Sequence, residues 1–300
     1  MMRSWRAYTA VITCAVAGLT LLRQYSLTSP ATSPVFPMSS LNLDIPLNDN
    51  NTIPWLAFGT GTALNGRDAE ELVALAISNG ILHLDGAQSY RNEESLGAGL
   101  AVSGKPRSSL FLDYVDLFLV HSPKNHEGEL NSVWKQVEEL QKEGLAKSIG
   151  VSNFRVQDFE EISKGASVVP AVNQIEYHPY VLKADQPVIE YMKKQNILPT
   201  SFGGLSPITR VKDGQLDPVL KPIRARVELT ARETATDGQV LQLWLRAKGI
   251  PAITTSTKEE RIKEYWAVQT LPRLTTEEVD AIDEAGSKAH HRFFSTWWDD

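Results

Sequence analysis

The strongest constraint on this chain is a rhythm. From residue 53 onward, short apolar runs without polar alternation take turns with amphipathic stretches of helical spacing. "WLAFGT" (55–60) and "ILHLD" (81–85) predict buried strands, while "RDAEELVALAISNG" (67–80) and "NEESLGAGLAVSG" (92–104) predict helices, each ending on glycine. The pattern runs on through strands at 114–121, 146–152, 170–177, 197–203 and 250–256, with helices at 129–144, 156–165, 185–196, 237–249 and 258–269. A looser segment precedes residue 237, and an amphipathic helix at 275–285, with a Thr cap and early acids, closes the series. Uniformly apolar strands, each followed by a helix, belong to a parallel sheet covered by helices.

Seven strand–helix steps are legible, one short of the eight that close a (β/α)8 TIM barrel. The shortfall has one address. In "SSLFLDYVDLFLVHSP" (108–123) two apolar runs abut with only Asp113 between them, where the rhythm demands a helix. The expected fold is therefore α/β, an incomplete (β/α)8 barrel over 44–300 with the third strand and its following helix largely deleted. Such a deletion predicts exposed strand edges or a seven-stranded closure. A doubly wound sheet is the rival, but "FGTGT" and "LGAGL" are not phosphate-binding fingerprints set between strand and helix. Gly97 and Gly99 lie inside a helical stretch, where close helix packing explains them.

Composition narrows the function classes. A chain of 300 residues, 42% hydrophobic, buries a large core, and its net charge of −6 argues against non-specific nucleic-acid binding. The single cysteine, Cys14, excludes an internal disulfide and any cysteine metal cage, which fits a reducing compartment. Six histidines include His121 with His126 and the pair His290–His291, but no recognised ligand spacing, so no metal is expected. Residues 1–43 differ from the rest: Arg3 and Arg6 precede an apolar run at 7–22, no acid occurs before Asp44, and 26–37 is a Ser/Thr/Pro linker. That leader is a signal anchor or targeting segment, or an optional extension before Met38. The first alternative implies membrane association through 7–22 or an organelle, the second a cytoplasmic protein. Oligomeric state is not legible.

In barrels of this kind, functional side chains sit at the C-terminal ends of strands. That rule selects Thr60, Gly61, Thr62, Asp85, Tyr90, His121, Ser152, Asn153, Gln174, Phe202 and Ser256. A tyrosine there is protonated at neutral pH and suits a general acid. Singly, Tyr90 is as well explained by packing, and Asp85 as a loop anchor.

Five motifs taken in order decide more. "LDGAQSYRNEESLG", "DYVDLFLVHSP", "IGVSNF", "VNQIEYHPY" and "TTSTKEERIKEY" resemble the aldo-keto reductase family, over about residues 53–266. The resemblance implies a (β/α)8 barrel that reduces an aldehyde or ketone with NADPH, without metal. It makes Tyr90 the proton donor, Asp85 its supporting acid and His121 the residue that orients the carbonyl. Ser152, Asn153 and Gln174 match the residues that hold the nicotinamide carboxamide, and Gly61 and Thr62 the first strand's cofactor contacts. Leu205 and Ser206 fall in the pyrophosphate loop. Phe202 stands where a tyrosine commonly stacks on the nicotinamide. At the adenosine end Ser256, Arg261 and Glu264 match, with Arg261 on the 2′-phosphate; Thr255 and Tyr265 depart from the pattern, and Lys258 lies nearby. Phe293, Phe294, Trp297 and Trp298 either shape the substrate pocket or pack on outer helices.

The same resemblance puts a catalytic lysine at the end of the third strand, inside the missing unit. Lys105 and Lys124 are the nearest lysines by sequence, and neither is placed to replace it. The chain thus reads as a family member with an internal deletion, through altered splicing or an imperfect gene model. Alternatives stay open: an NADP(H)-binding relative of impaired turnover acting as a sensor or partner subunit, or an unstable product.

Overall fold

The computed structural model describes residues 44–299; the leader at 1–43, with its apolar run at 7–22, and Asp300 lie outside the described residues. A hairpin of β1 (Asp44–Pro46) and β2 (Thr52–Pro54) comes first. Leu47 and Ile53 of this hairpin pack with Leu117, Ala171 and Val172, which covers the N-terminal end of the main sheet.

The rhythm is realised as β3 (Leu56–Gly59), α1 (Glu70–Ser78), β4 (His83–Asp85), α2 (Glu93–Val102), β5 (Phe111–Asp113), β6 (Leu117–Val120) and α3 (Leu130–Lys142). Then come β7 (Ser148–Ser152), α4 (Val156–Ser163), β8 (Val172–Glu176), α5 (Leu182–Gln195) and β9 (Leu198–Phe202). The chain ends with α6 (Ser206–Arg210), α7 (Asp217–Ala231), α8 (Asp237–Ala247), β10 (Ala252–Thr254), α9 (Glu259–Ala267) and α10 (Thr276–Ser287). Strands β3 to β10 form a closed barrel of parallel neighbours, with β10 returning to β3. The fold is the (β/α)8 barrel.

The strand count corrects the sequence expectation. The third barrel strand is not lost: β5 keeps three residues in full register with β4 and completes an eight-stranded closure, so neither a seven-stranded barrel nor an open edge results. No helix stands between β5 and β6, as expected. Parallel neighbours normally need a crossover of a dozen or more residues. Here β5 and β6 overlap only through Asp113 and Leu117, so the chain sidesteps by one strand instead of travelling back along the barrel.

One turn makes the step: the amides of Val115 and Asp116 both donate to the Leu112 carbonyl. The Asp116 carboxylate clamps it, accepting from the Leu112 amide at 2.9 Å and pairing with Arg107 and with Lys147 at 2.7 Å. Burial opposes the charge on Asp116, but Lys147, Arg107 and the Leu112 amide outweigh it and hold its pKa below the ordinary carboxylate value.

The looser segment before residue 237 also needs correction. It contains α7, fifteen residues long, which buries Leu220, Ile223 and Val227 at helical spacing despite Pro222 in its interior. Gly99 has the packing role expected of it, since a Cβ there would meet Glu70 and Val73 at 2.7 Å; Gly97 faces open space and has no such role. Among the described residues no helix is long and apolar enough to cross a membrane.

Candidate active site

Loops after the strands build the site. After β4, the chain makes a turn at Gln88–Tyr90, and Asn92 ties it to the loop after β3 by donating to the carbonyls of Thr60 and Leu64, both at 2.8 Å. The Tyr90 ring lies so close to Gly61 that a Cβ there would stand 2.7 Å from it. Glycine is required at this point for packing. Thr62 beside it, and Asn153 after β7, are held in the left-handed region at φ 47° and 61°, which a β-branched residue rarely tolerates and which often marks functional loops.

A cavity of about 640 Å³ opens at this end of the barrel. Its wall brings together Gly61, Thr62, Asp85, Tyr90, His121, Ser152, Asn153, Gln174, Phe202, Leu205, Ser206 and Arg261 from across the sequence. Tyr90 and His121 meet edge to face, ring centroids 5.7 Å apart. Ser152 Oγ donates to the Gln174 carbonyl at 2.8 Å, and Asn153 Nδ2 donates to Ser152 Oγ at 2.9 Å and to the His121 carbonyl at 3.1 Å.

Electrostatics beneath this floor were not foreseen. His83 and Asp85 share the inward face of β4, two residues apart, and the register sets Asp113 directly beside Asp85. His83 Nδ1 faces the Pro54 carbonyl at 3.0 Å and Nε2 faces Asp113 Oδ1 at 2.9 Å. A carbonyl on one side and a carboxyl group on the other are partners that favour a proton on each ring nitrogen, the charged form of the imidazole. Burial works against that charge, yet Asp113, the Pro54 carbonyl and Asp85 together raise its pKa.

Burial and then Asp113 push the Asp85 carboxyl up to about 7, while His83 and a hydrogen bond from Gln174 act the other way. Burial, Asp85 and Asp113 raise the Tyr90 phenol well above its ordinary value, so it is fully protonated at neutral pH. Desolvation lowers His121, leaving a neutral imidazole. Among the described residues no lysine lines this cavity. Lys105 is exposed in the turn after α2, and Lys124 Nζ sits over the Trp297 ring, 4.8 Å from its centroid.

Comparison with known proteins decides the family. The model of the aldo/keto reductase family matches residues 107–287. An NAD/NADP-dependent indole-3-acetaldehyde reductase of Schizosaccharomyces pombe is 33% identical, covering 83% of this chain and 97% of its own. The chain belongs to the aldo/keto reductase family. An NADPH-dependent alpha-keto amide reductase of Saccharomyces cerevisiae is 32% identical over 84% of this chain and 93% of its own. Among solved structures, a Bombyx mori aldo-keto reductase in complex with NADP superposes with a TM-score of 0.73 at 26% identity, covering 86% of this chain and 97% of that one.

Two positions that the resemblance assigned to the cofactor stand apart from the cavity wall. Ser256 is buried, with Oγ taken up by the Lys258 backbone, and Glu264 is half-buried, its carbonyl accepting from Gln239. The aromatic tail divides. Phe293 and Phe294 line the cavity, whereas Trp298 Nε1 donates to the Asn153 carbonyl and Trp297 is covered by Lys124 and Arg155.

Further contacts at this end of the barrel were not legible in the sequence. Ser295 Oγ donates to Asn153 Oδ1, and the Glu176 carboxylate accepts from the amides of Phe293 and Phe294, latching the tail across the mouth. His178, bonded to Glu176 at 3.1 Å, orders this latch. Arg210 stacks over Phe294 at 4.8 Å; an arginine four residues beyond Ser206 was the available signal. Among the described residues no cluster of three metal-ligating side chains occurs.

Proposed function

We propose that this chain reduces an aldehyde or ketone to the alcohol with NADPH, Tyr90 giving the proton and His121 orienting the carbonyl. The observation that carries the reading is the meeting of Tyr90, His121 and Asp85 with the amides of Asn153 and Gln174 on one cavity. The two relatives named as reductases, one NAD/NADP-dependent and one NADPH-dependent, align over nearly their whole lengths, which supports it.

The wall fits a dinucleotide. Gln242 Nε2 and Oε1 and Thr255 Oγ1 are buried polar atoms without partners, and both residues line the cavity, as does Arg261. Such atoms cost stability unless a ligand or solvent satisfies them. Arg261 is exposed and suits a 2′-phosphate through charge-assisted bonds. Ser152, Asn153 and Gln174 suit an uncharged carboxamide, with the proviso that Asn153 Oδ1 first releases Ser295. NADPH, when bound, supplies the hydride.

The protein's own part is to hold the carbonyl oxygen between the Tyr90 hydroxyl and the neutral imidazole of His121. Tyr90 then passes its proton as negative charge develops on that oxygen. Among the described residues no lysine lines the cavity to offset the resulting phenolate, and Asp85 and Asp113 oppose its charge; a missing electrostatic partner costs ~10²–10³ in rate.

That environment favours a second reading, a dinucleotide-binding relative of low turnover. An internal deletion accounts for both features. The alignment with the Schizosaccharomyces pombe relative runs over 282 positions while taking in only 83% of this 300-residue chain, leaving about thirty positions unmatched, the size of one strand–helix unit.

Loss of NADPH absorbance with a reactive carbonyl tests the first reading, and fluorescence titration with NADPH tests the second. Turnover abolished by Tyr90→Phe supports catalysis. Saturable binding without turnover leaves the second reading alone.

A further inference from the structure

Beside the main cavity lies a second hollow of about 300 Å³, and Tyr90, His121 and Gln174 belong to the walls of both. It borders the sidestep from β5 to β6, where the two strands pair only through Asp113 and Leu117 and no helix stands between them in the chain. Its throat is apolar, formed by Phe118 and Leu119 of β6 with Val133 and Val137 of α3. Phe118 and Tyr114 form a T-shaped pair 6.1 Å apart, and both are only half-buried. The rim is polar but uncharged. Gln88, Ser89 and Asn125 are exposed there, and burial, opposed by Glu129, lowers the pKa of His126 and keeps its imidazole neutral.

The two hollows therefore favour different molecules. Arg210 and Arg261 stand on the main wall and suit anionic groups such as the cofactor's phosphates. Among the described residues no lysine or arginine lines the side hollow. An apolar enclosure with a few polar groups at one end is the usual build of a site for a small organic molecule.

We propose that the side hollow holds the body of the carbonyl substrate and that this body is a neutral aromatic ring, lying along Phe118, Leu119, Val133 and Val137 while the carbonyl oxygen reaches Tyr90 and His121. The inference rests on the reductase reading and names its substrate class. Because Tyr90 and His121 face both hollows, a ketone bound through them turns its carbonyl carbon toward the main cavity and its ring toward the side one. The carbon then accepts the hydride and the oxygen the Tyr90 proton, which gives the secondary alcohol and NADP⁺. The Phe118–Tyr114 pair offers ring edges and faces to a flat group. A carbonyl compound whose body carries a carboxylate is disfavoured, since that charge would be desolvated without a cation beside it.

Photolabelling of the full chain with 4-azidoacetophenone tests the placement without turnover. Its acetyl carbonyl is the group for Tyr90 and His121, and on illumination its azide loses dinitrogen to leave a nitrene that attacks side chains within reach of the ring. NADP⁺ is present, which cannot reduce the probe. Peptide mapping should find saturable label on β6 or α3, around Leu119, Val133 and Val137. Label on the aromatic tail around Phe294 instead, or none that saturates, overturns the site. Asn125→Trp, which narrows the exposed rim, should reduce the label. With NADPH it should also lower kcat/KM for acetophenone relative to acetone by about tenfold or more, the usual scale of discrimination by an apolar pocket. An unchanged ratio refutes the substrate role. Label in the hollow, with no ketone oxidising NADPH under any condition, refutes the reductase reading and leaves the hollow as a site for neutral aromatic ligands.

Discussion

The barrel has two unlike walls. Around β7 and β8, five-residue strands alternate with full helices, and their ends deliver Ser152, Asn153 and Gln174 as a mutually bonded set. Around β5 and β6, a three-residue strand steps to its neighbour without a helix, leaving a side hollow and an acidic floor beneath Tyr90. In the proposed reading the first wall holds the cofactor and the second carries the proton chemistry. The difference teaches that closure of a barrel and completeness of its chemistry are separate demands. Three residues suffice for the ladder, but they carry no cation to the site.

Substitutions on each wall sharpen the contrast. Tyr90→Phe is expected to lower kcat/KM by ~10²–10⁴, the usual contribution of a general acid, while NADPH affinity stays within a few-fold; an equal loss of affinity would make Tyr90 a binding residue. Asp116→Ala should destabilise the fold by about 2 kcal/mol in equilibrium denaturation, since it breaks the clamp on the sidestep, with the exposed Lys147 partner contributing little. The Asp116 contribution is present above the ordinary carboxylate range and fades as pH falls through its lowered folded value. Unchanged stability would mean that the step is held by packing alone.

Arg261→Ala should weaken NADPH by ~10–100-fold and NADH far less, as loss of a charge-assisted phosphate contact predicts. The acidic floor has its own signature. With its carboxyl raised to about 7, the folded state keeps a proton on Asp85 that the unfolded chain releases. Its contribution to stability is therefore greatest in acid and falls as pH rises through 7. Asp85→Asn should raise Tm relative to the parent more in alkaline than in acidic buffer. The smallest effect expected is from Ser295→Ala, which frees Asn153 Oδ1 and should tighten NADPH a few-fold.

Much of the first wall was legible in the sequence. Long apolar strands with period-3.6 helices between them announce themselves, and polar residues at strand ends follow from barrel geometry. The second wall was not. Phe111–Asp113 is too short for a strand signal and runs into the next apolar segment, so only ladder register shows that it closes the barrel. His83 and Asp85 sit two apart on one face, but their partner lies thirty residues on and is set by register with β5. Helix α7 was masked by Pro222 and a weak amphipathic pattern. The bond from Ser295 to Asn153 spans 142 positions and leaves no local trace.

The most direct test is a rapid-mixing experiment in which the full chain meets NADPH and then a reactive ketone. A saturable binding signal from the intact wall is predicted, followed by a slow oxidation that Tyr90→Phe abolishes. No saturable signal with either NADPH or NADH, from well-folded protein, would contradict the assignment of this cavity to a nicotinamide nucleotide.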